Sequence, residues 1–64
     1  MTFCKVLAET EKNGRTVTAY ELWEKNEAAP HYEIYISREG IAWDTYKTAK
    51  TTWRRKFREL EKQL

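Results

Sequence analysis

The sequence predicts an α+β fold: a three-stranded antiparallel β-meander, with or without a short fourth strand, and one C-terminal helix packed on one face. Three observations predict it. Apolar residues alternate with polar ones on both sides of Asn13-Gly14, they alternate again in 31–37, and beyond residue 44 they recur every three or four positions. At 64 residues the chain is expected to form a single β-β-β-α domain, 1–64.

Asn13-Gly14 predicts a hairpin, because both residues tolerate the positive φ of a two-residue type I′ turn. One face of this hairpin is mostly small and apolar, so we expect it to form the core and to bury Cys4. The other face mixes apolar and acidic residues, and a one-residue slip of register would exchange the two faces. Three opposed pairs follow from the turn: Ala8 with Ala19, Leu7 with Tyr20, and Cys4 with Trp23. The predicted core face consists of Cys4, Val6, Ala8, Val17, Ala19 and Trp23.

A third strand is predicted after a loop over 25–30 that ends at Pro30. In 31–37 the apolar residues Tyr32, Ile34 and Ile36 alternate with more polar ones, which indicates a strand antiparallel to the second. Residues 37–40 read as a turn that ends at Gly40. Residues 41–43 form either a short fourth strand or the approach to the helix.

The helix is predicted over about 45–63, with Asp44 as its N-cap. Its apolar residues fall on one narrow stripe at about 100° per residue, and that stripe is expected to pack on the sheet. Threonines are frequent in the first half of this segment and have mediocre helix propensity, so packing must hold that half. The stripe consists of Tyr46, Ala49, Trp53, Phe57, Leu60 and Leu64.

Charge is unevenly distributed, although the net charge is only +2. Residues 1–42 hold five Lys or Arg and seven Glu, a net of −2, whereas residues 43–64 hold seven Lys or Arg and three acids, a net of +4. On a helix over 45–63 the cations form a ridge beside the apolar stripe. The ridge is either a solvated helix flank that complements the helix dipole or a phosphate-binding surface. Its candidate residues are Lys47, Lys50, Arg54, Arg55 and Arg58.

Residues that carry catalysis or bind metals are scarce. His31, Cys4 and Ser37 are the only histidine, cysteine and serine, and a Cys–His metal site needs three or four ligands. The only glycines, Gly14 and Gly40, cannot form a phosphate-cradling loop. We therefore expect a protein that is not an enzyme, with no cofactor, no metal and no small-molecule substrate.

The compartment predicted from the sequence is the cytoplasm. A single cysteine allows no internal disulfide, and no signal peptide is recognised at the N-terminus. No apolar run approaches the roughly 20 residues that span a membrane.

Two functions from different classes remain open. The first is a protein-interaction module that binds a protein partner, or a second copy of itself, through the sheet face that the helix leaves open. The alternative is a nucleic-acid-binding protein that contacts backbone phosphates through the basic C-terminal helix. The candidate protein-interaction face consists of Phe3, Leu7, Tyr20, Leu22 and Tyr35.

Overall fold

A computed structural model describes residues 2–24 and 29–64 and gives an α+β fold with one antiparallel sheet of four strands and one C-terminal helix. Residues 25–28 of the predicted loop lie outside this description. The strands pair in sequence order as a meander. The elements are β1 (Thr2–Lys12), β2 (Arg15–Glu24), β3 (His31–Arg38), β4 (Ile41–Thr48) and α1 (Trp53–Lys62).

Two tight turns close the sheet at one end. Asn13 and Gly14 have φ of 55° and 78°, the positive values that a type I′ turn requires, so the predicted hairpin is confirmed. Glu39 and Gly40 have φ of 54° and 80° and connect β3 to β4 in the same way. The Glu39 amide donates a hydrogen bond to the Gly14 carbonyl at 3.0 Å, which ties the two turns together.

A β-bulge in β1 divides the first hairpin into two registers. Next to the turn the pairing is as predicted, with Ala8 opposite Ala19. The register then shifts between Val6 and Ala8, so that Val6 lies opposite Tyr20. A bulge leaves one residue unpaired; here that residue is Leu7, which packs against the core.

The predicted faces of the first strand are therefore wrong beyond the bulge. Cys4 pairs with Leu22 rather than Trp23, and Cys4 is exposed rather than buried. Because opposed residues in an antiparallel pair share a face, Cys4 and Val6 lie on the face away from the helix. Phe3 lies opposite Trp23 on the helix side.

The fourth strand is present and extends to Thr48, so the predicted start of the helix is wrong. Asp44 is a residue of β4, where its carboxylate accepts a hydrogen bond from the Thr45 amide at 2.9 Å. The helix begins at Trp53 with Thr52 as its N-cap. Threonine favours a pleated strand over a helix, and the threonine-rich segment adopts that preference.

The core lies between the helix and the two central strands. Val17, Ala19 and Ile34 are fully buried under Phe57 and Leu60 of the helix. Strand alternation places Tyr32, Ile34 and Ile36 on this side, as predicted for the third strand. Partly buried side chains surround this centre: Leu7, Ala8, Ile36, Tyr46, Trp53 and Leu64.

The helix covers only part of the sheet. Its ten residues span about 15 Å, whereas the eleven residues of β1 span roughly 37 Å. A hydrogen bond from the Thr10 hydroxyl to the Glu61 carboxylate places the C-terminal part of the helix near the two turns. In the described part of the chain, no helix has the length and apolar character needed to cross a membrane.

Candidate interaction site

The open face, the side of the sheet away from α1, carries an apolar patch. In the established registers Cys4 and Val6 lie opposite Leu22 and Tyr20, and Tyr35 lies one strand further on. The rings of Tyr20 and Tyr35 meet edge to face, with centroids 5.3 Å apart, an arrangement that aromatic pairs prefer. The apolar patch consists of Cys4, Val6, Tyr20, Leu22 and Tyr35.

The apolar patch is partly exposed to solvent. Val6 keeps 55% of its surface exposed, and the Cys4 thiol is free and exposed. The three residues contributed by β2 and β3 are half-buried. Sheets that are solvated on one face usually alternate apolar residues inward with polar residues outward, so an apolar patch on the solvated face calls for an explanation.

Glutamates border the apolar patch. Glu33 lies opposite Tyr20, and Glu9 accepts a hydrogen bond from the Thr18 hydroxyl at 3.3 Å. Burial raises the pKa of Tyr35 above its ordinary value, and the nearby negative charge of Glu33 adds to the effect. Among the described strand residues, alternation places four carboxylates and one lysine on the open face, which makes this part of it acidic: Glu9, Glu11, Glu24, Glu33 and Lys47.

The structure brings together three of the five residues predicted for the protein-interaction face. Tyr20, Leu22 and Tyr35 lie in the apolar patch, whereas Leu7 packs on the helix side against the core. Phe3 is 62% exposed and lies opposite Trp23 on the helix side of the sheet. Cys4 and Val6 take the places of Phe3 and Leu7. No pattern in the sequence marks the bulge that exchanges them.

The predicted cationic ridge is interrupted. Lys47 belongs to β4 and lies opposite Glu33 on the open face, and Lys50 lies in the turn before the helix. Arg54, Arg55 and Arg58 remain as exposed residues of α1. The Arg54 guanidinium lies 5.3 Å from the centre of the Trp53 ring, so one of these cations is engaged by an aromatic neighbour.

The helix side is more basic than the open face. Lys56 pairs with Glu59 at 3.5 Å and also lies 4.8 Å from the centre of the Tyr46 ring. A hydrogen bond to Asp44 and that residue's charge raise the pKa of Tyr46. Beyond these contacts the helix presents four cations to solvent: Arg54, Arg55, Arg58 and Lys62.

Within residues 2–24 and 29–64, no three of the His, Cys, Asp and Glu side chains are grouped closely enough to hold a metal ion. Comparison of the chain with protein-family models, with curated proteins and with solved structures finds no match.

Proposed function

We propose that the protein is a non-enzymatic interaction module whose open face binds a protein partner. One observation carries the proposal: an apolar patch bordered by carboxylates lies on the sheet face opposite the helix. Interfaces of this kind bury an apolar, aromatic centre and keep a polar rim. Two tyrosines, a leucine and a valine supply the centre of such a surface here.

The acidic rim favours a partner of complementary charge over a second copy of this chain. A face-to-face dimer would bring Glu9 and Glu33 of both copies close to one another, and like charges facing across an interface oppose association. A partner with an apolar centre and surrounding lysines or arginines meets both features of the open face.

Binding through the face is favoured over binding through a strand edge. β1 and β4, the two edge strands, each carry a register irregularity, one between Val6 and Ala8 and one opposite Ile36 and Ser37. Bulges twist an edge and interrupt its regular row of hydrogen-bonding groups, which discourages the addition of another strand. We further propose a cytoplasmic location, because an exposed single thiol beside an interface stays reduced there.

Paired substitutions on the two sides of the sheet test the proposal. Leu22→Glu places a charge in the apolar patch and is expected to abolish binding to a partner recovered from the native lysate and then purified. Arg54→Glu combined with Arg58→Glu changes the opposite side and is expected to leave that affinity unchanged. Retention of full affinity by Leu22→Glu would exclude the open face.

Sedimentation at several salt concentrations tests the alternative of self-association. A monomer at low salt is expected. A dimer that strengthens as salt screens the glutamates, and that Leu22→Glu dissociates, would identify the second copy as the partner instead.

The basic helix side supports a second candidate function, the binding of a polyanion. The observation that favours it is the group of exposed arginines on α1, which Glu59 offsets only in part. Binding by these cations is expected to weaken with salt and to be lost in the Arg54→Glu, Arg58→Glu variant.

A further inference from the structure

Three cations lie side by side in the row of paired strand residues next to the two turns. Lys12 lies opposite Arg15, and Arg15 lies opposite Arg38. All three side chains therefore share the helix side of the sheet, within roughly 10 Å, the width of two strand spacings. Like charges directly opposite each other destabilise a sheet. We call these three residues the cationic row.

The cationic row is not neutralised by ion pairs with described residues. Within 2–24 and 29–64, no carboxylate forms an ion pair with Lys12, Arg15 or Arg38. Two carboxylates lie nearby without forming an ion pair: Asp44 lines a depression with Arg15, and Glu39 of the adjacent turn lines another with Arg38. The three cations outnumber these two carboxylates, so the row keeps a net positive charge.

Trp43 supplies an exposed aromatic ring beside the cationic row. It is 63% exposed, at the register shift in β4, and the Arg38 guanidinium lies 5.9 Å from its ring centre. Trp43 lines two neighbouring depressions, one shared with Arg38 and Ile41 and the other with Arg15. An indole bordered by guanidinium groups is suited to stack on a flat ring that carries a nearby negative charge.

A purely structural role explains only part of this arrangement. Arg15 lines a depression with Gln63 and Leu64, so its charge complements the negative end of the helix dipole. Lys12 lies on the edge strand next to Arg15, and Arg38 is engaged by Trp43 rather than by the helix. The dipole therefore accounts for one cation of the three.

We propose that the cationic row and Trp43 bind a single-stranded nucleic acid. The three cations contact successive phosphates, and one base stacks on the side of the Trp43 ring that Arg38 leaves uncovered. A single strand is required because a base inside a duplex is not free to stack on a protein ring. This site lies on the opposite side of the sheet from the apolar patch and does not depend on the protein-binding function.

Fluorescence anisotropy with a labelled oligothymidylate of about 12 nucleotides tests the proposal over a range of salt concentrations. Three phosphate contacts predict that log K falls with log salt with a slope of about −2, since each contact contributes about 0.7 on a single strand. Arg15→Gln combined with Arg38→Gln is expected to reduce the slope by about 1.4. The same variant is expected to melt close to the wild type, because removal of an opposed pair of like charges offsets the lost contacts of Arg15 with the helix end and of Arg38 with Trp43.

A matched variant separates this site from general surface charge. Lys5→Gln combined with Lys47→Gln removes two exposed cations that lie elsewhere on the sheet, opposite Glu21 and Glu33, and is expected to leave the slope unchanged. Trp43→Ala is expected to weaken binding roughly five- to a hundredfold without changing the slope, because stacking is not salt-governed. Trp43→Phe, which keeps an aromatic ring, is expected to restore most of the affinity.

Three results would overturn the proposal. The first is no anisotropy change at about 50 mM salt with tens of micromolar protein, since non-specific binding reaches that range. The second is an unchanged slope in the Arg15, Arg38 variant together with a loss of slope in an Arg54→Gln, Arg58→Gln variant, which assigns the phosphate contacts to the helix. The third is equal competition by inorganic polyphosphate at matched charge together with an unaffected Trp43→Ala, which reduces the site to a charged surface without base stacking.

Discussion

The two faces of the sheet are made by alternate residues of the same strands, yet they differ in packing and in charge. On the helix side Val17, Ala19 and Ile34 have no exposed surface. On the open face their neighbours in sequence include two tyrosines and a glutamate, which solvent reaches. The covered face holds the fold together. The open face carries apolar area that the fold leaves unburied, and an area of that kind is available to a partner.

The largest effect that tests this difference is expected for Phe57→Ala. Phe57 is buried against the central strands, and removal of a buried phenylalanine costs about 3–5 kcal/mol. That is a large share of the stability of a small domain. Chemical denaturation measures it.

Trp53→Ala is the control for Phe57→Ala. Trp53 is only half-buried and lies beside Arg54, so its loss is expected to destabilise the protein less, although tryptophan is the larger residue. Equal losses would mean that the helix faces the sheet with a different stripe.

A pair of valines compares the two faces directly. Val17 has no exposed surface and Val6 is 55% exposed, and they lie on opposite faces of neighbouring strands. Val17→Ala is expected to cost about 2 kcal/mol, from two buried carbon groups and the cavity they leave. Val6→Ala is expected to cost less than about 0.5 kcal/mol. A cost for Val6→Ala equal to that of Val17→Ala would show that the open face is covered in the folded protein.

The faces of β2 and β3 could be predicted from sequence, but that of β1 could not. The Asn13-Gly14 turn fixes the pairing near it, and strict alternation in 31–37 fixes which side Ile34 faces. The bulge depends on Leu7 finding room in the core, a tertiary effect without a local signature. One inserted residue then places Cys4 on the open face instead of the core face.

The start of the helix could not be predicted from the sequence, again because a tertiary contact imitates a local pattern. Tyr46 packs against the same core from β4 that Trp53 and Phe57 reach from the helix. Tyr46, a strand residue, therefore continues the helical spacing by coincidence, and the same spacing predicts that Lys47, also a residue of β4, lies on a helical ridge. β-branched threonines in this segment were the signal that favoured the strand.

The cationic row could not be predicted from the sequence, because its members are distant in sequence. Lys12 and Arg15 flank one turn, and Arg38 precedes the other. Only the pairing of β2 with β3 places the two arginines opposite each other. Glu39-Gly40 can also be interpreted as a two-residue hairpin turn. That interpretation predicts a fourth strand from residue 41 and places Trp43 near the cationic row.

The smallest expected effect concerns a polar contact on the helix side of the sheet. The Tyr32 hydroxyl donates a hydrogen bond to the Glu21 carboxylate at 2.6 Å. This hydrogen bond, with burial and the charge of Glu21, raises the pKa of Tyr32 above its ordinary value of about 10. A pKa that is higher in the folded state means that the contact contributes its full stability below pH 10, and loses it as pH rises through the raised pKa.

Tyr32→Phe is therefore expected to be slightly less stable than the wild type at neutral pH, because it lacks the hydrogen bond. As pH rises past the raised pKa, the wild type must ionise a hydroxyl next to a carboxylate, so the difference is expected to vanish and then reverse. Glu21→Gln keeps an acceptor but removes the charge, and it is expected to show a smaller alkaline loss than the wild type. Urea denaturation of the three proteins across the alkaline range measures these differences. A stability gap between wild type and Tyr32→Phe that stays constant with pH would mean that the Glu21 contact does not persist in solution.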